Sequence, residues 1–133
     1  MATAEEFEHA ALVLAGAADE VTGASRHVAE VRAERAIDGG RVADLLDMSL
    51  ELGRADAARA AADLEALVRL CRWRSGVCAD HARALGRWEQ QLVAWRRARA
   101  AWELAQVDPT RVVPHPGPVP ARPIAPYDWV DPR

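Results

Sequence analysis

Phe7, Leu14, Val21 and Val28 recur every seven residues, and Ala10, Ala17, Ala24 and Val31 recur three positions after them. This spacing is an a/d seam over four heptads and predicts a first helix. Thr3-Ala4-Glu5-Glu6 sets a hydroxyl three residues ahead of a glutamate, the pattern of a capping box, so the helix should begin there. Asp38-Gly39-Gly40 should end it, because glycine tolerates the left-handed cap. Roughly 35 residues at about 1.5 Å each give a helix about 50 Å long. The small residues at d would let a partner helix approach closely.

A second seam follows. Its a positions are Leu64, Cys71, Cys78, Leu85, Leu92 and Arg99, and its d positions are Leu67, Arg74, His81, Trp88, Trp95 and Trp102. Upstream, Val42, Leu45, Leu46, Leu50 and Leu52 form an apolar face that Ala57, Ala60 and Ala61 continue. The phase holds across Ser75-Gly76, which predicts one long helix over about 41–105, kinked at most at Gly53 or Ser75-Gly76. The alternative is two shorter helices broken at Ser75-Gly76, giving a three-helix bundle. All eight prolines lie after residue 108. Proline removes a backbone donor and clashes inside a helix, and the residue before it avoids the α region. Asp108-Pro109 is therefore the boundary of the helical part, and Val112 to Pro126 should be extended and polyproline-like. The expected division is a helical domain over 1–106 and a proline-rich tail over 107–133.

The chain has 133 residues, enough for one domain. It contains 29 alanines, 17 arginines, no lysine and a net charge of −3. That charge is too mild to imply a nucleic-acid or membrane partner by itself. The distribution is uneven. Residues 1–66 carry 14 acidic side chains against 6 arginines, and residues 67–133 carry 6 against 11. An acidic first arm folded on a basic second arm gains attraction, but exposed pairs contribute only about 0–1 kcal/mol each. Charge can orient the arms without supplying their stability. No apolar run approaches ~18 residues, so no transmembrane helix is expected. Met1 to Glu8 is acidic and lacks the basic start of a Sec-type signal peptide.

The unequal arms leave apolar surface without a cover. The first helix can shield only about half of the second. The stripe of Trp88, Trp95 and Trp102, with Leu85 and Leu92, therefore needs another chain, the tail, or the far end of the bundle. A buried tryptophan covers about 150–250 Å², and three left in water would promote aggregation. These five residues are the candidate partner interface. Tyr127, Trp129 and Asp131 form the candidate anchor at the tail end, either on a partner or on the protein's own bundle.

Other chemistry is weaker. Cys71, Cys78 and His81 share a helical face, but no second ligand pair with zinc spacing accompanies them. The two cysteines stand seven apart, about 10 Å along a helix, beyond the ~7 Å limit for a disulfide within it. A Cys–His nucleophile would lack an orienting group. The run Arg69, Arg72, Arg74, Arg83, Arg87, Arg96, Arg97 and Arg99, interleaved with Trp73, Trp88 and Trp95, could bind single-stranded nucleic acid. A solvated face complementing the acidic arm explains it better. No catalytic residue, metal or cofactor is expected.

An alanine-rich hairpin of about 100 residues that starts near Met1 and turns at glycine resembles the WXG100/ESX group of type VII secretion proteins. The stretch from Leu64 through Arg72-Trp73-Arg74-Ser75-Gly76 to Cys78, followed by Ala82–Trp95, is similar to the second helix of actinobacterial relatives of that group. Asp38-Gly39-Gly40 stands where those proteins have Trp-x-Gly. The resemblance implies a non-enzymatic helical partner or secretion substrate, and a Tyr-x-x-x-Asp/Glu export signal that Tyr127 and Asp131 match. The expected protein is therefore all-α. It is a long antiparallel, coiled-coil-like hairpin with an extended tail, forming a hetero- or homo-oligomer with a protein partner. It would be cytoplasmic, or exported without a cleavable Sec signal. The alternatives are a small structural or accessory subunit of a larger assembly, and an arginine-rich nucleic-acid binder.

Overall fold

The structure is a computed structural model, and it describes residues 2–35 and 41–131. It is all-α, with two helices among the described residues: α1 (Ala4–Arg35) and α2 (Arg41–Val107). α1 begins directly after Thr3, as the capping pattern predicts, with Glu5 and Glu6 in its first turn, where acidic groups face the positive end of the helix dipole. α2 is continuous over 67 residues. The break at Ser75-Gly76 does not occur. One glycine in a helix interior costs only about 1 kcal/mol relative to alanine, which cannot outweigh the packing on either side of it. The Asp38-Gly39-Gly40 turn lies outside the described residues.

The chain forms two compact units. One is Glu5–Ser75, and the other is Met1–Ala4 with Gly76–Arg133. The division falls inside α2, not at the helix–tail boundary near residue 107.

The first unit is the hairpin of α1 with the first part of α2. The Arg74 guanidinium lies over the Phe7 ring, 5.6 Å from its centroid, so the N-terminal end of α1 meets residue 74 in antiparallel fashion. Equal steps from that contact toward the connection bring Ala11 level with Leu70 and Ala18 level with Asp63. Val68 and Ala61 lie within a turn of those positions, and all four residues are buried. Sequence periodicity placed the seam one residue off. The deepest positions are Ala11 and Ala18 rather than Ala10 and Ala17, and Val68 rather than Leu67, which is exposed. A seven-residue repeat drifts about 20° per heptad on a straight helix, so neighbouring positions share the stripe. The seam is dominated by alanine, which permits close approach but buries little apolar area.

The second unit is the remainder of α2 with the tail. Cys78, His81, Leu85 and Ala105 are its buried helical residues, joined by Val130 from the tail. Asp108 ends the helix. Its carboxylate accepts hydrogen bonds from the Thr110 amide (3.0 Å) and hydroxyl (2.6 Å), an Asx-type turn that starts the tail. These bonds hold the Asp108 carboxyl below its ordinary range.

Ala18 is buried in the seam, 6% exposed. Ala18→Leu is expected to lower hairpin stability by about 1–3 kcal/mol through overpacking, measured as a reduced denaturation midpoint by circular dichroism. An unchanged midpoint would show that the seam is loose.

Candidate functional site

Heptad spacing aligns His81, Trp88, Trp95 and Trp102 along α2, and the tail runs back along them. The Trp95 indole N–H donates to the Gly117 carbonyl and the Trp88 indole N–H to the Pro120 carbonyl, each at 3.0 Å. Trp102 meets the His115 ring edge-on at 4.8 Å between centroids. As residue numbers rise along the tail they fall along the helix, so the strap is antiparallel to α2. The cover the tryptophans demand thus comes from within the chain. Leu85 is buried, while Leu92 and the three indoles are half-buried.

The strap lies there because of its composition. A proline carbonyl accepts hydrogen bonds, and its nitrogen brings no donor that would be orphaned on an apolar surface. Gly117 turns the strap toward Trp95. Its φ of 79° is the left-handed value that side-chain-bearing residues avoid, and its amide donates to His115 Nδ1 at 3.0 Å. Guanidinium groups cover the ring faces, Arg99 over Trp95 at 5.4 Å and Arg122 over Trp88 at 5.7 Å. Such cation–π contacts contribute about 0.5–1 kcal/mol at exposed sites. Arg99 is also paired with Glu103 at 2.9 Å, and Arg83 with Asp80.

At its far end the tail meets the N-terminus. Val130 forms a parallel bridge with Ala2 and is 1% exposed, the most deeply buried large side chain described. The Cys78 thiol donates to the Ala2 carbonyl at 3.7 Å. Burial and the neighbouring Asp131 carboxylate both raise the Cys78 thiol above its ordinary value of 9.0. This contribution to stability is therefore present below pH 9 and is lost as the pH rises through the raised value. Tyr127 stacks on Trp129, with centroids 5.0 Å apart and planes 8° apart. The structure thus brings Asp131, next to Val130, to the middle of α2 by Cys78, and not onto the three indoles.

Sequence reasoning missed the role of Gly117, Val130 and Ala2. No local pattern marks Val130 or Ala2, because their pairing joins opposite ends of the chain. The heptad already contained His81 beside the tryptophans. Its Nε2 is buried with no hydrogen-bond partner among the described residues. Among those residues no three His, Cys, Asp or Glu side chains gather as metal ligands. None of the described helices is long and apolar enough to cross a membrane. The depression lined by Gly86, Glu89, Gln90, Val93, Ala94 and Arg97 lies on a single face of α2. Comparison with family models, with curated proteins and with solved structures found no match for this chain.

Two predictions test the strap. Gly117→Ala meets no steric obstacle to its new methyl group but imposes the left-handed conformation on alanine. It should weaken tail docking by about 1–2 kcal/mol, read as faster proteolysis of residues 108–131. In thiol alkylation near pH 8, Cys78 should react more slowly than the half-buried Cys71, and Asp131→Asn should speed Cys78. Equal rates in both proteins would contradict the described burial and charge.

Proposed function

We propose that the chain is a non-catalytic protein-interaction module whose hairpin unit joins an amphipathic helix of another protein. One observation carries this reading: apart from Val68 the unit buries only alanines, and many of its large apolar side chains stay exposed. Leu45, Met48 and Leu52, at positions i, i+3 and i+7 of α2, are 58%, 63% and 64% exposed. Leu12 and Val13 of α1 are exposed as well, and so are Leu70 and Trp73. Leu45, Met48 and Leu52 share one face of α2, and exposed apolar side chains grouped in this way mark a contact surface. Asp44, Asp47 and Glu51 flank the stripe, and residues 5–75 carry 14 acidic side chains against 9 arginines. The fitting partner is an apolar-faced helix with basic flanks. A second copy would bring the same acidic flanks and fits less well.

The finer reading is a type VII secretion substrate or partner resembling the WXG100/ESX-like proteins. Two features support it: the all-α two-helix architecture, and the Tyr127-x-x-x-Asp131 spacing at the tail end. Under this reading the chain resides in the cytoplasm until it is exported without a cleavable Sec signal.

Leu45→Glu with Leu52→Glu changes exposed positions only, so the helices should persist by circular dichroism while a stoichiometric helical partner is lost from co-purification. A wild-type chain that purifies as a stable, partnerless monomer would overturn the interaction reading. In a host with a type VII system, Tyr127→Ala or Asp131→Ala should remain in the cell. Normal export of both variants would remove the secretion reading and favour an accessory subunit of a larger assembly.

A further inference from the structure

Trp88 and Trp95 stand seven residues apart on α2, and the carbonyls they bind, Pro120 and Gly117, stand three apart in the tail. The two steps match in length. Seven helical residues advance about 10.5 Å, and three residues of an extended proline-rich chain advance about 9 Å. A helix with one indole per heptad is thus commensurate with a chain that presents one carbonyl every third residue.

The antiparallel order extends beyond the two bonds, with a shorter step toward the helix C-terminus: Trp102 meets His115, two residues before Gly117. A three-residue step the other way would set His81 level with Pro123. His81 is 6% exposed, and its Nε2 has no hydrogen-bond partner among the described residues. The protein's own tail therefore satisfies the two central positions and leaves a buried imidazole nitrogen unused at the next.

We infer that the α2 face bearing His81, Trp88, Trp95 and Trp102 is a binding groove for proline-rich peptides, and that residues 112–126 are the ligand that fills it in the isolated chain. The ligand class is a proline-rich segment of another protein, extended, with acceptor carbonyls at three-residue intervals. Three properties of the groove select it. The donors are indole edges, which demand carbonyls. The apolar surface between them disfavours a ligand with many free amides. Arg99, on α2 itself, occupies the face of Trp95, where a nucleobase would have to stack. An incoming segment that places a carbonyl at His81 Nε2 gains a contact the resident tail does not make. The inference is independent of the partner proposed for the hairpin unit, since it concerns only the second unit.

The tethered tail competes at high effective concentration, so the test loosens it within the full-length chain. Pro118→Gly, Pro120→Gly and Pro123→Gly together raise the entropy lost when the tail docks and leave the helix untouched. A fluorescein-labelled synthetic peptide with the sequence of residues 112–126 is the probe, read by fluorescence anisotropy. The loosened chain should bind it at least about tenfold more tightly than wild type does. Adding Trp88→Phe and Trp95→Phe should remove that gain. Indole ¹H–¹⁵N resonances of the loosened chain give a reading that needs no tryptophan variant: Trp88 and Trp95 should shift on peptide addition, and Trp73 should not. No binding to the loosened chain, equal binding after the phenylalanine substitutions, or shifts at Trp73 alone would overturn the inference.

Discussion

The second unit depends on the hydrogen bonds between two indole N–H groups and two tail carbonyls. A tryptophan can be covered by apolar contact alone, but its nitrogen must also find an acceptor. On α2 the backbone acceptors are already used by the helix, so within the protein the acceptors come from a second segment. The tail supplies carbonyls at the matching interval and, being rich in proline, brings few donors of its own. Each bond contributes about 0.5–1.5 kcal/mol. The larger effect is positional, because the pair fixes which tail residue lies on which heptad.

Fixing that register has consequences down the strap. With Gly117 and Pro120 held, the tail reaches the N-terminal segment, where Val130 pairs with Ala2 over the Cys78 thiol. The two ends of the chain are thereby joined in one small packed cluster. Tyr127 and Asp131, the residues of the export-like spacing, sit beside it. The tyrosine stacks on Trp129 and the carboxylate acts on the thiol.

The hairpin unit follows a different economy. Its buried seam is mostly alanine, which permits close approach but buries little apolar area, while Leu12, Leu45, Met48 and Leu52 face outward. A seam of this kind specifies pairing without demanding much burial, and it leaves a ridge of larger side chains exposed. The acidic flanks of that ridge contrast with the arginines over the tryptophans of α2. The two units thus present different chemistry: an apolar stripe with acidic edges in one, and donor edges capped by guanidinium groups in the other.

Much of this was legible in the chain itself. The confinement of proline to residues beyond 108, the capping pattern at Thr3 and the heptads determined two long helices and an irregular tail, because these are local constraints on backbone geometry. The heptads also marked Trp88, Trp95 and Trp102 as a face that needs covering. They could not name the cover, since periodicity identifies a face and says nothing about what rests on it. The one-residue displacement of the seam to Ala11, Ala18 and Val68 has a similar cause: adjacent positions on a helix share a stripe, and only the angle of the partner decides between them. The continuity of α2 through Ser75-Gly76 was a balance of a small propensity cost against packing, and packing is a tertiary quantity. The pairings of Trp88 with Pro120, Trp95 with Gly117 and Ala2 with Val130 join residues 22 to 128 positions apart, so only the folded chain could decide them.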